Sequence, residues 1–563
     1  MDQEPRYLVA GDAGLVVEFA DRIDPIVNEQ VHALSHAMDR QPIAGVIETV
    51  PTYRSLLAVY DPLVVGWAEL VDQVSNRLRN ISETAEQRPS RSISVPTVYG
   101  GEHGPDVDFV AEHNGLSVDD VIAIHSAVNY QVYMIGFTPG FPYLGGMSER
   151  IAAPRLERPR TRIPAGSVGI AGSQTGIYPV DSPGGWRLIG RTPLSLYDPG
   201  AEDPVLLRPG DRVRFEPIDQ LQSTGQPVSR SAGQQVSRSA GLVKVVKPGL
   251  LTTIQDGGRP GYMRLGIPPS GAMDRFSLQA ANSLVGNEPG EACLEITLLG
   301  PTLEFSSCSL IAIAGADFGP TLNGRPMETW SSFEVQPGDR LSLPAAQQGC
   351  RAYVAFRGGI RVAAALGSRS TYLRGRLGGN QGRALQARDA IPIGQTGESF
   401  AGRRLPSRFR PRYPLTLTAR VVLGPQSDHF PPESVILLQG AEYRVLSESD
   451  RMGYRLSGAR LFHSRGSNII SDGVVAGAIQ VPGDGNPIVM LADRQTTGGY
   501  PKIATVIAPD LDRIGQLKPG DRIRFAAISL ETAHDAYRSY RRNLDSVRSW
   551  AGGQPTGPKG GGF

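Results

Sequence analysis

Four stretches of this sequence set acids, cations and amides between turn-forming residues. Residues 491–517, LADRQTTGGYPKIATVIAPDLDRIGQL, carry Asp493, Gln495, Tyr500 and Lys502 on one turn-and-strand unit. An acid and a lysine held close together suit proton transfer or neutralisation of phosphate charge, and a surface ion pair accounts for them equally. Residues 447–456, SESDRMGYRL, add Asp450 and Arg451 on a polar turn of the same ambiguity. In residues 250–282, LLTTIQDGGRPGYMRLGIPPSGAMDRFSLQAAN, the polar groups Gln255, Asp256, Arg259, Ser270, Asp274 and Asn282 lie between turn formers. The helix that follows offers its N-terminus to an anion, or Asp274 is simply its cap. Residues 159–193 are dense in glycine and hold Arg160, Arg162, Gln174, Tyr178, Ser182, Trp186 and Arg191. Glycines let backbone N–H groups approach an anion, and arginine matches carboxylate or phosphate geometry. A glycine-rich sheet with surface arginines reads the same way. Residues 136–146, GFTPGFPYLGG, fix a stiff path carrying Phe137, Phe141 and Tyr143, either as a substrate lip or as a hairpin packing its own rings.

Other chemistries find no support. Residues 377–385, LGGNQGRAL, superficially resemble a phosphate loop, but Arg383 stands where lysine followed by serine or threonine is needed. The 8 histidines form no HExxH and no ligand-spaced pair, so metal binding is not expected, and no GxSxG elbow occurs. The 3 cysteines, Cys293, Cys308 and Cys350, have no pairing pattern and read as small buried hydrophobes in a reducing compartment. A net charge of +2 argues for neither nucleic acid nor a membrane surface. No signal peptide or long apolar stretch is seen, so a soluble, cytoplasmic protein is expected.

The elements that position these groups follow from pattern. With 67 glycines and 45 prolines, many short strands joined by tight turns are expected. LRPGDRVRF at 207–215 recurs as LKPGDRIRF at 517–525, and a shorter version, VQPGDRLSL, begins at Val335. Each is a Pro-Gly turn feeding an alternating strand. The repeat implies three related β-rich domains; residues 387–389 read ARD where a further such turn would fall, which weakens the repeat there. The first ninety residues differ. Asp24 and Pro25 start a helix with Val27, Val31, Leu34 and Met38 on one face, and Trp67, Leu70, Val71, Val74 and Leu78 mark a second. Ser117 and Asp120 form a capping box. The expected division is 1–90, a small α+β unit; 91–222, a β domain; 223–241, a flexible linker in which VSRSAG occurs twice; 242–405 and 406–550, two more β domains, the last with a C-terminal helix; and 551–563, a disordered tail.

Taken together and in order, these motifs carry a resemblance. GFTPGFPYLGG followed by PRTRIPAGSVGIAGSQTGIYPVDSPGGWRLIGRTPL resembles the KipI family, the B subunit of 5-oxoprolinase. LLTTIQDGGRPGYMRLGIPPSGAMD, LEITLLGPTLEF, RVVLGPQSDHF, SDRMGYRL and LADRQTTGGYPKIATVIAPDL resemble the KipA family, its C subunit. The resemblance implies a mainly β fold with an α+β N-terminal domain and repeated cyclophilin-like barrels. It implies ATP-dependent opening of 5-oxoproline to L-glutamate, with ATP as its Mg2+ complex and a separate LamB/YcsF-like A subunit as partner. A homo-oligomer is expected. On that reading Asp493, Lys502, Arg160 and Arg259 form the catalytic set. Arg191 and Arg451 join Arg160 and Arg259 as anion clamps. Phe141, Tyr143, Gln174, Tyr178, Ser182, Trp186, Gln255, Asp256, Asp274, Gln495 and Tyr500 line the substrate or nucleotide. The same modules form the carboxyltransferase part of urea carboxylase, a second enzymatic reading; no AMKM-like biotinyl site is present, so no bound biotin is expected. Relatives of the KipI family also resemble inhibitors of a histidine kinase, which gives a third reading as a binding protein.

Overall fold

The computed structural model describes residues 4–81, 91–158, 160–221, 241–394 and 402–551. The expected linker and tail fall outside them except at Gly241 and Ala551, which begin one strand and end one helix. The fold is mainly β, with an α+β N-terminal unit and repeated cyclophilin-like barrels.

The N-terminal unit is a four-stranded antiparallel sheet in the order Arg6–Val9, Gly14–Glu18, Ser55–Tyr60, Val46–Pro51. Helix Pro25–Arg40 starts where the sequence places it: Asp24 Oδ1 accepts from Ile26 N at 2.8 Å, and proline fills the first helical position, where no N–H is needed. Val31, Leu34 and Met38, with Leu70 and Val74 of helix Trp67–Ile81, bury one face of the sheet through Leu15, Val17, Leu56 and Ala58. The other face is not solvated. Val16, Val50 and Leu57 pack on Val474, Val475, Ala478 and Met490 of the C-terminal barrel. A sheet covered on both faces needs near-continuous apolar strands, which is why GLVVE and SLLAVY do not alternate.

Two repeats close into seven-stranded barrels. The first contains Ser92–Tyr99, Asn129–Ile135, Pro142–Gly145, Ser167–Ala171, Gln174–Ile177, Arg187–Arg191 and Arg212–Pro217; the second runs from Thr416–Leu423 to Arg522–Ala527. In each, the strand after the PGDR turn pairs in parallel with the first strand of its barrel, Arg212–Pro217 with Ser92–Tyr99 and Arg522–Ala527 with Thr416–Leu423. The middle repeat does not close: it forms a six-stranded and a five-stranded sheet over one core. Helix Arg275–Leu284 covers it and packs on the C-terminal helix Leu530–Ala551 through Leu278, Ala281, Leu544 and Val547.

The repeated turn has one mechanism. The aspartate accepts from the backbone N–H three residues earlier: Arg208 N to Asp211 Oδ2 at 2.8 Å, Gln336 N to Asp339 Oδ2 at 2.7 Å, Lys518 N to Asp521 Oδ2 at 3.0 Å. The glycine before it has φ of 90°, 87° and 96°. Residues 387–389 keep the same turn despite reading ARD, contrary to the sequence expectation: Gln386 N donates to Asp389 Oδ2 at 2.7 Å, and Arg388 takes the glycine's place at φ 76°. A side chain in that region costs about 1–2 kcal/mol. Arg388→Gly is therefore expected to raise the melting temperature by about 1–3 °C, read by calorimetry; a fall would show that the arginine side chain contributes more than its backbone strain costs.

Cys293 and Cys350 are buried as expected, but Cys308 is exposed, its thiol 3.0 Å from Gln336 Oε1. No helix among the described residues is long and apolar enough to cross a membrane.

The N-terminal unit is also pinned to the second barrel by polar contacts. Both Asp12 carboxylate oxygens accept from Ala508 N, at 3.1 and 3.0 Å, while Glu48 Oε2 ties the unit to the middle repeat by accepting from Met263 N at 3.0 Å. Burial pushes the Asp12 carboxyl up to about 7, the Ala508 hydrogen bond opposing it. The folded state thus keeps this proton between about pH 4 and 7 while the unfolded chain releases it. Stability from this group is present at low pH and is lost as pH rises through that window, by at most about 1.4 kcal/mol per pH unit. Thermal melts of Asp12→Asn should show a shallower loss between pH 5 and 8 than wild type; parallel curves would contradict this.

Candidate functional site

Lys502 opens strand Lys502–Val506, and Asp472 opens the short strand Asp472–Gly473, which pairs with Thr497–Gly498. Their side chains are each 2% exposed, and Lys502 Nζ lies 3.1 Å from Asp472 Oδ2. Three further donors reach this carboxylate: Ser55 Oγ at 2.5 Å, Gln426 Nε2 at 3.1 Å and Gly473 N at 2.8 Å. Ser55 comes from the hairpin of the N-terminal unit, so the site is built by both halves of the chain. Burial pushes the Asp472 carboxyl up, but Lys502, Ser55 and Arg54 outweigh it and hold it below the usual carboxylate range. Asp472 is therefore an anion ready to accept a proton only when its surroundings change.

Gln480 pairs with Lys502 across neighbouring strands, which places the two side chains on one face. Gln480 is buried and its Nε2 has no hydrogen-bond partner among the described residues; the Tyr53 and Thr496 hydroxyls are likewise buried and without one there. A Cβ on Gly498 would stand 2.6 Å from both Gln480 Nε2 and Gln495 Nε2, so only glycine lets the two carboxamides converge there. Native proteins pair nearly all buried polar groups, and such a concentration of orphans marks where a polar ligand or water belongs.

The segment 136–146 borders this seam. A Cβ on Gly136 would lie 1.9 Å from Thr497 Oγ1, so the backbone of the first barrel rests directly on the second. Phe137 sits at φ 64°, a left-handed conformation that carries strain. Behind it Phe141, Tyr143, Tyr178 and Trp186 form an aromatic cage: Phe141 is 4.9 Å from Tyr143, 5.1 Å from Tyr178 and 5.5 Å from Trp186, ring centre to ring centre. Tyr53, from the N-terminal hairpin, packs edge-on to Tyr143 at 5.8 Å. Burial pushes the Tyr143 phenol up to about 12 against the pull of Arg155, Ser471 and Thr497, and burial likewise pushes the Tyr53 phenol well above its usual range. Both are neutral hydrogen-bond donors at physiological pH.

Of the residues marked in the sequence, Lys502, Gln495, Phe141, Tyr143, Tyr178 and Trp186 come to this seam or its cage. Ser182 lies on a strand at the cage border with its hydroxyl buried and without a hydrogen-bond partner among the described residues. Gln174 is half-buried at the start of strand Gln174–Ile177, and Tyr500 is exposed. The expected pairing within 491–517 is corrected. Lys502 turns to Asp472, and Asp493 is held by Arg451, Nε to Oδ2 at 2.9 Å and Nη2 to Oδ1 at 3.0 Å. Neither is a surface pair. Arg451 Nη1 also donates to Glu295 Oε1 at 2.5 Å, which makes a buried strut between the middle repeat and the second barrel.

Three of the four arginine clamps, Arg160, Arg191 and Arg451, are committed to groups of their own, while Arg259 keeps a buried Nη1 with no hydrogen-bond partner among the described residues. Arg160 Nη2 donates to Asp106 Oδ1 at 2.8 Å and Arg191 Nε to Ala165 O at 2.9 Å, both within the first barrel. Arg259 is buried, donates to Ser370 O, and makes no ion pair among the described residues. Asp274 caps helix Arg275–Leu284, its Oδ1 accepting from Ser277 N at 2.8 Å, while Gln516 Nε2 donates to its Oδ2 at 2.7 Å. Asp256 accepts from Gly258 N at 2.8 Å and Ser368 Oγ at 2.7 Å; Gln255 donates to Thr371 O at 3.0 Å. These last three secure loops. The sequence reading missed Asp472, Ser55, Gln426, Gln480 and Tyr53. Asp472 looks like any Ser-Asp-Gly turn, and nothing local shows that a strand thirty residues on will place a lysine beside it.

Comparison with known proteins divides the chain in two. Residues 5–207 match the carboxyltransferase domain, subdomain C and D, and residues 265–527 match the carboxyltransferase domain, subdomain A and B. The 5-oxoprolinase B subunit of Bacillus subtilis (strain 168) is 46% identical over 220 residues, which is 37% of this chain and 91% of that protein. The 5-oxoprolinase C subunit of Escherichia coli (strain K12) is 36% identical over 309 residues, 54% of this chain and 97% of that protein. The crystal structure of TTHA0988 superposes with a TM-score of 0.81 at 35% identity, over 91% of this chain and 99% of that one.

Proposed function

We propose a function from one premise: the chain belongs to the family of 5-oxoprolinase B and C subunits, joined in a single polypeptide. It supplies the B and C parts of an ATP-dependent 5-oxoprolinase, which opens 5-oxoproline to L-glutamate together with a separate A subunit. The observation that carries the reading at the level of chemistry is the buried Lys502–Asp472 pair beside Gln480, whose Nε2 has no partner among the described residues, closed from the other half by Ser55.

A lactam carbonyl is a poor electrophile, and opening the ring places negative charge on its oxygen and demands a proton for its nitrogen. In a water-poor seam the Lys502 ammonium offsets that charge far more strongly than it would in bulk solvent. The Gln480 and Gln495 carboxamides donate to carbonyl or carboxylate oxygens of the substrate. Asp472 accepts the proton of the attacking water once substrate draws Lys502 away from it, and returns that proton to the ring nitrogen as the C–N bond breaks. The glycine-rich loop 377–385 is not read as the nucleotide site, since its Arg383 is paired to Asp389 at 2.7 Å. ATP is used by the complete assembly with the A subunit, and no step is routed through it on this chain.

The test is phosphate release by the chain with and without its A subunit, with 5-oxoproline, urea and allophanate supplied side by side. The expected result is ATP hydrolysis that needs both proteins and 5-oxoproline. The carboxyltransferase match of both halves favours one second reading, a urea carboxylase component; turnover of urea alone, with a biotinylated carrier, would establish it and displace the first.

A further inference from the structure

We infer that Thr52 and Ser55, on the hairpin turn of the N-terminal unit, are positioning residues that clamp Oδ1 of Asp472 and leave Oδ2 as the oxygen that takes the proton. The inference rests on the proposed function, in which Asp472 is the base. It adds the residues through which one half of the chain sets the base carried by the other.

Four donors fill the Asp472 carboxylate, two to each oxygen. Ser55 Oγ at 2.5 Å and Gly473 N at 2.8 Å reach Oδ1. Lys502 Nζ and Gln426 Nε2, both at 3.1 Å, reach Oδ2. An ionised carboxylate offers about four acceptor positions, so a proton enters only where a donor leaves. Of the four donors, Lys502 alone carries a charge on a flexible stem, and it is the one that negative charge on the substrate draws away. The position it vacates is on Oδ2. That oxygen takes the proton of the attacking water and later gives it to the ring nitrogen.

Oδ1 stays occupied because its donor has nowhere else to turn. Ser55 Oγ has two polar neighbours, Asp472 Oδ1 and Thr52 Oγ1, the latter at 2.7 Å. The carboxylate only accepts, so the single Ser55 hydroxyl proton goes to it and Thr52 Oγ1 donates to Ser55 Oγ. The chain runs one way, from Thr52 to Ser55 to Asp472, and each bond polarises the next. Thr52 Oγ1 in turn accepts from Ser55 N at 3.2 Å. The turn itself is fixed. Thr52 N donates to Ser55 O at 2.8 Å, and Asn28 Nδ2, from helix Pro25–Arg40, donates to Thr52 O at 3.0 Å and Tyr53 O at 3.2 Å. Asn28, Thr52 and Ser55 are all buried. A Cβ on Gly473 would stand 2.7 Å from Leu57 Cβ, so a glycine after Asp472 is what lets the hairpin come this close.

Docking alone does not call for this arrangement, since Val16, Val50 and Leu57 already pack the N-terminal unit on the second barrel. What the hydroxyl chain adds is electrostatic. The charged groups facing Asp472 are Lys502 and, from the N-terminal unit, Arg54, which is paired with Glu18 Oε2 at 2.8 Å. Burial works to raise the Asp472 carboxyl, and Lys502, Ser55 and Arg54 together hold it below the usual carboxylate range. Without the Ser55 donor the carboxyl moves up, and less of the base is ionised at a given pH.

The experiment uses the full chain, alone and with its A subunit. In the assembly, Ser55→Ala is expected to lower kcat by about 10- to 100-fold with KM little changed, and to move the acid limb of the kcat/KM profile to higher pH. Thr52→Val keeps the volume and removes the hydroxyl that donates to Ser55. Its kcat should fall by about 3- to 10-fold, and its acid limb should move the same way by less. Thr52→Ser should restore both. In the chain alone, the infrared carboxylate stretch of Asp472 is identified by its loss in Asp472→Asn. That band should shift in Ser55→Ala and in Thr52→Val, and should give way to the protonated carboxyl at higher pH than in wild type. An acid limb or a carboxylate band left unmoved by Ser55→Ala and Thr52→Val, or a loss in Thr52→Val that Thr52→Ser does not repair, would overturn the inference. A shifted band without any 5-oxoproline-dependent phosphate release by the wild-type assembly would leave the control of Asp472 by Ser55 standing and remove the proposed function instead.

Discussion

Lys502→Met is expected to lower 5-oxoproline-dependent phosphate release by about 10²–10³-fold or more, the range seen when a preorganised charge or donor at a reacting oxygen is removed. The substitution has a structural consequence as well. It leaves Asp472 buried with no cation in direct contact, and an uncompensated buried charge costs about 3–5 kcal/mol. Burial then dominates and drives the Asp472 carboxyl upward from its present depressed position. The variant should thus lose most stability at neutral pH and recover toward wild type as pH falls and the carboxyl takes up a proton. Lys502→Met combined with Asp472→Asn removes both charges and keeps the volume, so its melting temperature should return close to wild type at pH 7. Its activity should not return. Recovery of activity in the double variant would mean that the pair only holds the seam together.

Arg451→Ala carries the largest expected loss of stability. Arg451 joins Asp493 and Glu295 at the junction of the middle repeat and the second barrel, and all three side chains are at most 5% exposed. Its removal strands Asp493 and leaves Glu295 with the longer ion pair to Arg351 at 3.8 Å beside its neutral donors Met273 N and Tyr353 Oη. The expected cost is about 3–5 kcal/mol, roughly a 10 °C fall in melting temperature for a unit of this size. Because the strut lies outside the seam, turnover per folded molecule should fall far less than in Lys502→Met. A melting temperature within a degree or two of wild type would remove the structural role argued for Arg451, and a selective loss of activity would restore it as a substrate clamp.

Much of the fold is legible because it is written locally. The Asp24–Pro25 helix start, the Ser117–Asp120 capping box and the PGDR turns depend on residues within one or two turns of chain, and each forms as expected. The ARD turn departs from expectation because the aspartate, not the glycine, defines that motif. The site is legible only in part. Lys502, Gln495 and Tyr143 stand in segments whose glycines and prolines stand out, and Gly498 and Gly136 account for that density by the close approaches they permit. Asp472 and Ser55 cannot be paired from sequence, since 417 positions separate them and neither has an unusual neighbour. The partners of the arginines are hidden for a different reason. Arginine in a glycine-rich stretch signals an anion only if no acid of the same chain is closer, and for Arg160 and Arg451 one is.

The central claim is that both halves of the chain build one site around Lys502 and Asp472. A crystal structure of the chain in complex with its A subunit and 5-oxoproline tests it most directly. The account predicts the lactam between Tyr53, Gln480 and Lys502, with Ser55 still on Asp472. A ligand bound elsewhere, with the Lys502–Asp472 pair unchanged and the Gln480 carboxamide still facing no partner, would contradict it.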